Sequence, residues 1–250
     1  MGFLSSPNLP RSRVTLMAFS AAAAPVAQWL SGRGIRTILL PADNRLAVPV
    51  RFHADLLLHH LGGNALVLAN ARGEAAQRLR AEGFCTLQAK RKLSSQYPQD
   101  VPLCALRIGN YLFAKRSSLD PAVEQYCGKQ GVALIDSPQG YARCSVLVLR
   151  ENAAVTADSA LAKAMESVGI SVLRIRPGFI CLPGYSCGFL GGCCGLIAPD
   201  LLLCNGDISL HPDGKRITEF AARYGIRILS AHPGELIDIG GILPLKESEI

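Results

Sequence analysis

The sequence has 250 residues, of which 49% are hydrophobic and 18% charged, and its formal net charge is +7. This length allows one large domain or two small ones with a substantial core, and the composition excludes a disordered or collagen-like chain. Nine cysteines, an odd number without the short spacing of secreted scaffolds, argue against a disulfide framework and predict a reducing, cytoplasmic location.

The N-terminal segment has two interpretations. Residues 1–13, rich in Ser, Pro, Asn and Arg, are predicted to be a loose, flexible tail. Arg11 and Arg13 before the apolar run 14–19 imitate a signal peptide. We favour the other interpretation, a buried strand followed by a helix over 23–31, because the same strand-helix unit recurs along the chain.

Five amphipathic segments, each ended by a glycine and followed at once by a β-rich run, divide the chain into similar units. The predicted helices cover 23–31, 73–81, 121–127, 159–168 and 213–224. The glycines that end them are Gly34, Gly83, Gly131, Gly169 and Gly225. Glycine is favoured at such positions because it adopts the left-handed backbone conformation that ends a helix without a Cβ clash.

Two β-rich runs flank each predicted helix. The runs before the helices are 14–19, 65–69, 111–114, 153–156 and 201–204. The runs after them are 35–40, 84–88, 132–135, 170–175 and 226–229. The repeat of about 50 residues gives units at about 35–83, 84–131, 132–169, 170–225 and 226–250.

The last unit lacks a strand, which the run 14–19 can supply, and this pairing would close a ring. Closure predicts a single domain over 14–250 with adjacent termini, in which radial repetition protects the strand edges. The predicted fold class is therefore α/β: a five-bladed, pseudo-symmetric α/β propeller with units of strand, strand, strand and helix.

Alignment of the units on one another places polar residues at corresponding positions of a central segment. Asp55, Asp100, Cys144 and Asp238 correspond, and the fourth unit contributes a glycine-rich turn at 191–195. If five central strands point at a common axis, these positions converge there, and His53 joins them. The alignment predicts a polar site in an otherwise apolar ring.

Several motifs occur in order over about residues 14–245. They are His53-x-Asp55 with His59, Tyr97-Pro98-x-Asp100, Gln139-Gly140-Tyr141-x-x-Cys144-Ser145, Leu182-Pro183-Gly184, the stretch 188–195, Gly206-Asp207 and Asp238-x-Gly240. Together they resemble the pentein fold, also called the guanidine-modifying-enzyme fold, and most closely an uncharacterised bacterial family assigned to it. Arginine deiminases, dimethylarginine hydrolases, agmatine deiminases and amidinotransferases share this fold.

The resemblance implies a hydrolase or transferase in which a cysteine thiolate attacks the planar carbon of a guanidino or amidino group. It implies Cys144 as nucleophile, two blades on from His53. His53 would be the general acid and base, and Asp55 with Asp100 would hold the cationic group. Well-known members carry the cysteine near the C-terminus, whereas residues 242–250 contain none, so the blades would be cyclically offset.

The remaining candidates are placed at the same site. Asp238, Gly191, Gly192 and Cys194 are predicted to contribute to substrate binding, and Cys194 is the second candidate for the reactive thiol. Each candidate also has a purely structural interpretation: a histidine that caps a buried strand, a small buried thiol, or a carboxylate that binds the Gly240-Gly241 backbone.

Two other functions are weighed: a catalytically inactive binding or scaffold protein of the same fold, and a metal-binding protein that uses the five cysteines between 181 and 204. Their spacing matches no common zinc or iron–sulfur pattern, so no metal is predicted. No nucleotide-binding glycine loop occurs, so no cofactor is predicted. The expected partner is a small cationic molecule, without nucleic acid or membrane, because basic and aromatic residues are not interleaved and no long apolar run occurs. Substrate, reaction direction and oligomeric state stay open.

Overall fold

Five small sheets, each with one helix between its second and third strands, form the protein in the computed structural model, which describes residues 2–249. The first strands of the sheets are β4 (Leu58–Gly62), β7 (Leu106–Ile108), β10 (Val146–Arg150), β13 (Cys194–Ala198) and β16 (Leu243–Glu247). The second strands are β2 (Val14–Ser20), β5 (Ala65–Leu68), β8 (Tyr111–Ala114), β11 (Ala153–Thr156) and β14 (Leu201–Cys204). The third strands are β3 (Arg36–Leu40), β6 (Cys85–Gln88), β9 (Ala133–Asp136), β12 (Ser171–Arg174) and β15 (Arg227–Ser230).

The helices are of two kinds. The long ones, which connect second and third strands, are α1 (Ala24–Ser31), α3 (Glu74–Ala81), α4 (Pro121–Lys129), α6 (Ser159–Glu166) and α8 (Gly214–Arg223). The others are single turns directly before first strands: α2 (Ala54–Leu57), α5 (Ala142–Ser145) and α7 (Leu190–Cys193). No helix within residues 2–249 is long and apolar enough to cross a lipid bilayer.

The five sheets form a closed ring. In each sheet the first and second strands are antiparallel, whereas the second and third are parallel. First strands of successive sheets contact each other, as β7 does with β10, β10 with β13 and β13 with β16. The last strand, β16, pairs with β2 and so completes the blade that the start of the chain began. The predicted five-bladed α/β propeller is confirmed.

The five glycines at the helix ends adopt the conformation that the sequence predicts. Their φ angles lie between +68° and +90°. The residue after each glycine donates its backbone N–H to a carbonyl of the preceding helix, as Ile35 does to Leu30 at 3.1 Å. This is the hydrogen bond that satisfies the last carbonyls of a helix ended by a left-handed residue. Each helix therefore ends two or three residues before its glycine, and the third strand starts two residues after it.

The aligned central segments differ from the prediction. Asp55, Cys144, Gly191 and Gly192 do not lie on strands but in the single-turn helices α2, α5 and α7, just before the first strands. Four residues are too few for a helical periodicity to be visible in a sequence. These turns lie directly before the first strands, and two of them, α5 and α7, contact each other.

Residues 2–13 are also placed differently from the predicted loose tail. Gly2 and Phe3 form β1, which adds a fourth strand to the closing sheet by pairing with Glu247 and Lys246 of β16. Leu4 is fully buried, and its backbone N–H donates to Leu245 at 3.1 Å. This segment is ordered because β16 would otherwise present an open edge, and an open edge binds an extended chain readily.

Candidate active site

Four of the predicted side chains meet at one end of the ring: His53, Asp55, Cys144 and Asp238, none more than 4% exposed. The Cys144 thiol donates a hydrogen bond to Asp55 Oδ2 at 2.7 Å. His53 Nδ1 lies 3.8 Å from Asp238 Oδ1. The ligand atoms of His53, Cys144 and Asp238 all lie within 4.8 Å of one another. A thiol, an imidazole and two carboxylates therefore surround one point.

Backbone contacts between blades hold these groups in place. His53 precedes the first turn of α2, and the Asp55 N–H donates to the Gly240 carbonyl at 3.1 Å. Asp238 is fixed from both sides, because its Oδ1 accepts from the Gly240 N–H at 2.9 Å and its Oδ2 from the Phe189 N–H at 2.8 Å. The carboxylate and the histidine are thus positioned by the same short loop.

Glycines are required where this loop crosses the end of the ring. A Cβ on Gly192 would stand 1.9 Å from Asp238 Oδ1, and one on Gly191 would stand 2.3 Å from the Val146 carbonyl oxygen. Gly240 has φ +75°. These approaches are closer than any side chain allows, so Gly192 leaves room for the Asp238 carboxylate and Gly191 for the Val146 carbonyl.

Burial dominates the electrostatics of the cluster. Burial raises the pKa of Asp55 to about 6, and His53 and the Cys144 hydrogen bond oppose that rise. Burial also raises the pKa of the Cys144 thiol well above its usual value, assisted by Cys104 and Asp55. Without a cation in the site, Cys144 is therefore a neutral thiol, and it donates to Asp55.

Cys104 is a member of this group that the sequence analysis did not select. Its sulfur lies 3.7 Å from the Cys144 sulfur, and the side chain is fully buried. Cys104 lies in the loop before β7, and its carbonyl accepts the Arg143 N–H at 3.0 Å. Only the contact between α5 and this loop brings it to Cys144, so no spacing in the sequence could have indicated it.

Asp100 stands outside the thiol cluster, against a layer of aromatic rings. Tyr141 donates a short hydrogen bond to Asp100 Oδ2, and burial raises the pKa of this carboxyl. The Tyr141 ring stacks on Tyr97 at a centroid distance of 5.8 Å and packs against Phe189 at 5.9 Å. Tyr141 belongs to the Gln139-Gly140-Tyr141 motif, which was the available signal for this layer.

Cys194 does not reach the cluster. It lies on β13 directly opposite Cys204 of β14, and the two sulfurs are 3.0 Å apart in the apolar core of that blade. The second candidate for the reactive thiol is therefore placed away from His53 and Asp238. Its neighbour Cys193 donates to the Phe189 carbonyl at 3.4 Å.

A small cavity adjoins the cluster at Asp55. Asp55 lines it together with His59, His60, Arg107 and Arg143. A volume of about 20 Å³ is open to the centre of a water molecule, enough for about one water. Within residues 2–249, the buried atoms Asp55 Oδ1, His59 Nε2 and His60 Nδ1 have no hydrogen-bond partner, and all three residues line this cavity.

The sequence matches a family of unknown function, DUF6873, over residues 20–243. The chain belongs to this family. No curated protein matches it significantly.

Solved structures similar to this DUF6873 chain show its fold. The inosamine-phosphate amidinotransferase StrB1 of Streptomyces griseus has a TM-score of 0.62 at 11% identity, over 99% of this chain and 98% of that chain. The amidinotransferase SxtG of Microseira wollei, from the saxitoxin pathway, has a TM-score of 0.59 at 10% identity, over 99% and 98%. The agmatine deiminase of C. jejuni has a TM-score of 0.54 at 6% identity, over 92% and 90%. The fold is the pentein fold, as the motifs indicate, and at these identities the likeness extends to the fold alone.

The cluster of the DUF6873 chain is suited to a cation. Two carboxylates and two thiols face each other, and the cationic groups Arg107 and Arg143 line the adjoining cavity with Asp55. A planar guanidinium can be held by carboxylates in bidentate fashion. A metal ion is the other cation that these donor atoms accept, through His53, Cys144 and Asp238 or through Asp55, Cys104 and Cys144.

Proposed function

We propose that this protein is a cysteine-dependent hydrolase or transferase that breaks a C–N bond of a small guanidino or amidino compound. The observation that supports the proposal most directly is the meeting of Cys144, His53 and Asp238 within 4.8 Å, with Asp55 on the same thiol. This arrangement contains a nucleophile, a proton carrier and two carboxylates for the cationic group.

In the proposed reaction His53 accepts the proton of the Cys144 thiol, and the Cys144 sulfur attacks the planar carbon and forms a C–S bond. The C–N bond of the leaving group breaks, and His53 transfers a proton to the departing amine. The product is an amidino group bound to Cys144. Attack by water with His53 as base gives a hydrolase, whereas attack by an amine gives a transferase, and in both cases the thiolate leaves.

The substrate supplies part of the activation. The neutral thiol must lose a proton, and burial beside Asp55 opposes this. A guanidinium bound by Asp55 compensates the negative charge of that carboxylate and adds a positive charge next to the sulfur, which lowers the thiol pKa. The thiol is therefore activated only when the cationic substrate is present.

Asp100 is proposed to hold the substrate at the outer side of the site. Tyr141 occupies one carboxylate oxygen, and the other, Oδ1, is buried without a partner among the described residues. A buried acceptor of this kind gains about 1–3 kcal/mol when it receives a donor.

All nine cysteines are free thiols, and the proposed chemistry needs Cys144 reduced, so we assign the protein to a reducing compartment such as the cytoplasm.

The proposal is tested by comparing two alkylating reagents on the native protein. Chloroacetamidine carries a planar cation next to its reactive carbon, and chloroacetamide is its neutral isostere. We expect chloroacetamidine to label Cys144 at least about tenfold faster, because a charge-assisted hydrogen bond contributes about 1.5–3 kcal/mol. Peptide mass spectrometry measures the rates, and Cys85, an exposed thiol, is the internal standard.

A catalytically inactive binding protein is the second candidate, and the raised thiol pKa together with the one-water cavity favours it. In that case the ring keeps its polar site, but a bound cation does not activate the thiol. Equal labelling of Cys144 by the two reagents, at a rate no higher than that of Cys85, would favour this candidate and reject the enzyme.

A further inference from the structure

Three buried side chains from different parts of the ring present donor atoms to one point that the proposed chemistry uses only in part. They are Asp55 on α2, Cys104 in the loop before β7, and Cys144 on α5, each at most 1% exposed. Their ligand atoms lie within 4.8 Å of one another. Asp55 Oδ1 is buried without a partner in the part of the chain that the structure describes, so the group has spare ligand capacity.

The sulfur separation fits a metal ion. Two thiolates at about 2.3 Å on one tetrahedral zinc ion stand about 3.8 Å apart. The two sulfur atoms of Cys104 and Cys144 are already 3.7 Å apart. Only Asp55 would have to withdraw, because its Oδ2 lies 2.7 Å from the Cys144 sulfur. The unpartnered Oδ1 leaves this carboxylate free to turn.

Charge and ligand type indicate which metal. Two thiolates select a soft or borderline ion such as Zn²⁺ over Mg²⁺ or Ca²⁺. A divalent ion with two thiolates and one carboxylate leaves one negative charge, and the Arg143 guanidinium, which lines the same cavity as Asp55, compensates it. His53 belongs with Cys144 to a second set of donors, whereas the cavity that Asp55 lines has room for a water molecule that can complete the coordination.

We propose that Cys104, Cys144 and Asp55 form a site for Zn²⁺, with a water molecule as the fourth ligand. Binding displaces the two thiol protons to solvent, and no electrons are transferred. The site goes beyond the proposed function, since it needs no reaction. One consequence does rest on that function: the metal ligates the proposed nucleophile and displaces a guanidinium from Asp55, so metal and substrate exclude each other.

The site is tested on the full chain after treatment with a reductant and a chelator, followed by removal of both. Co²⁺ is then added, because a thiolate ligand produces a charge-transfer absorption in the near ultraviolet whose strength follows the number of thiolates. We expect one equivalent of Co²⁺ with a two-thiolate band, and its displacement by Zn²⁺. Cys104→Ser should lower the affinity at least about 100-fold, since even indirect ligand partners cost 10–100-fold.

Two further variants make the result decisive. Asp55→Asn keeps both thiols, so it should weaken Co²⁺ binding while leaving the absorption per bound ion unchanged. Cys85→Ser removes an exposed thiol outside the group and should change neither quantity. Circular dichroism checks that each variant is folded.

The proposal is overturned if the native chain binds no stoichiometric Co²⁺ or Zn²⁺. It is also overturned if Cys194→Ser abolishes binding while Cys104→Ser does not, because the metal would then use the Cys194–Cys204 pair. Neither outcome affects the alkylation test, which contains no metal, so failure of the metal site and failure of the enzyme proposal are distinguishable.

Discussion

The Cys144 thiol donates a hydrogen bond to Asp55 Oδ2, with 2.7 Å between the sulfur and the oxygen. The proposed nucleophile is therefore hydrogen-bonded to the carboxylate that is proposed to bind the cation. The bond links α5 to α2, two turns that precede first strands two blades apart. A cation that binds Asp55 Oδ2 must therefore break or reorient this hydrogen bond, whereas one that binds the unpartnered Oδ1 places its charge beside the carboxylate that accepts the thiol hydrogen. In either case the binding of a cation to Asp55 changes the environment of the Cys144 thiol.

Asp55→Asn is expected to remove the preference of Cys144 for a cationic reagent. The amide oxygen still accepts the thiol hydrogen bond, whereas the negative charge is lost. The chloroacetamidine-to-chloroacetamide rate ratio at Cys144 should fall at least about tenfold, from the loss of a charge-assisted contact. The same ratio at Cys85 serves as control, and an unchanged ratio at Cys144 would show that another group attracts the cation.

Gly192→Ala is expected to disrupt the site. The new Cβ would stand 1.9 Å from Asp238 Oδ1, so the carboxylate must move away from His53. Loss of the Asp238 hydrogen bonds and steric strain should lower the free energy of unfolding by about 2–4 kcal/mol. Urea denaturation measures this change.

Gly128→Ala is the matched control for that experiment. Gly128 lies within α4, and a Cβ there meets nothing within 4 Å. Because Ala is favoured over Gly in helices, this variant should gain up to about 1 kcal/mol. Equal stability of the two variants would contradict the close packing at the end of the ring.

His59 and His60 should make the protein sensitive to acid. Burial lowers the pKa of both to about 4, against an ordinary value of 6.5. Between these values the unfolded chain binds more protons, so the free energy of unfolding falls as pH drops through this window. Arg107 and Arg143 line the same cavity as the two histidines, and their positive charges lower the pKa of His59 further.

The expected size is about 2 kcal/mol per histidine between pH 7 and pH 5. His60→Gln tests it, since the amide can keep a donor to the Gly63 carbonyl, which the ring nitrogen Nε2 contacts at 2.9 Å. We expect its unfolding free energy to vary less with pH than that of the native chain. Parallel pH profiles would mean that His60 is charged in the folded protein or that its burial is only partial.

Leu4→Ala tests whether the N-terminal segment belongs to the core. Leu4 is fully buried beside β16, so truncation should cost about 2–4 kcal/mol of unfolding free energy. Val48, which is 70% exposed, is the control position, and Val48→Ala should change stability by less than about 0.5 kcal/mol. A negligible effect of Leu4→Ala on the unfolding free energy would instead support the loose tail that the sequence predicts.

Local backbone chemistry accounts for the part of the fold that the sequence predicts well. The sequence predicts the exact position of a glycine that follows an amphipathic helix, as at Gly131. It also predicts the observed bounds of the strands β8, β11 and β14. Such features depend on a few neighbouring residues. The internal repeat then predicts the ring, because five like units that cannot each bury their own sheet must pack together.

The parts that the sequence does not predict depend on distant contacts. Phe3 and Leu4 are apolar residues in a largely polar segment, and they are held by β16 and by the Gly63 N–H, which donates to the Leu4 carbonyl at 2.8 Å. Cys104 carries no repeat signal, and it reaches Cys144 because the Arg143 N–H binds its carbonyl. The roles of His53, Cys144 and Asp238 stay predictions that the geometry supports, whereas Cys194 is separated from them by its pairing with Cys204.

The closing pair β16 and β2 has a consequence for synthesis on the ribosome. The blades that contain β5, β8, β11 and β14 each receive their three strands from one continuous stretch. The blade of β2 and β3 waits for β16, which is made after the other four blades, so one edge of β2 stays unpaired while the rest of the ring forms. Domains generally fold during translation as their segments emerge, whereas here a strand made before the other four blades is paired by one made after them. Until then the apolar strand β2, which is buried in the folded ring, keeps one unpaired edge in the nascent chain.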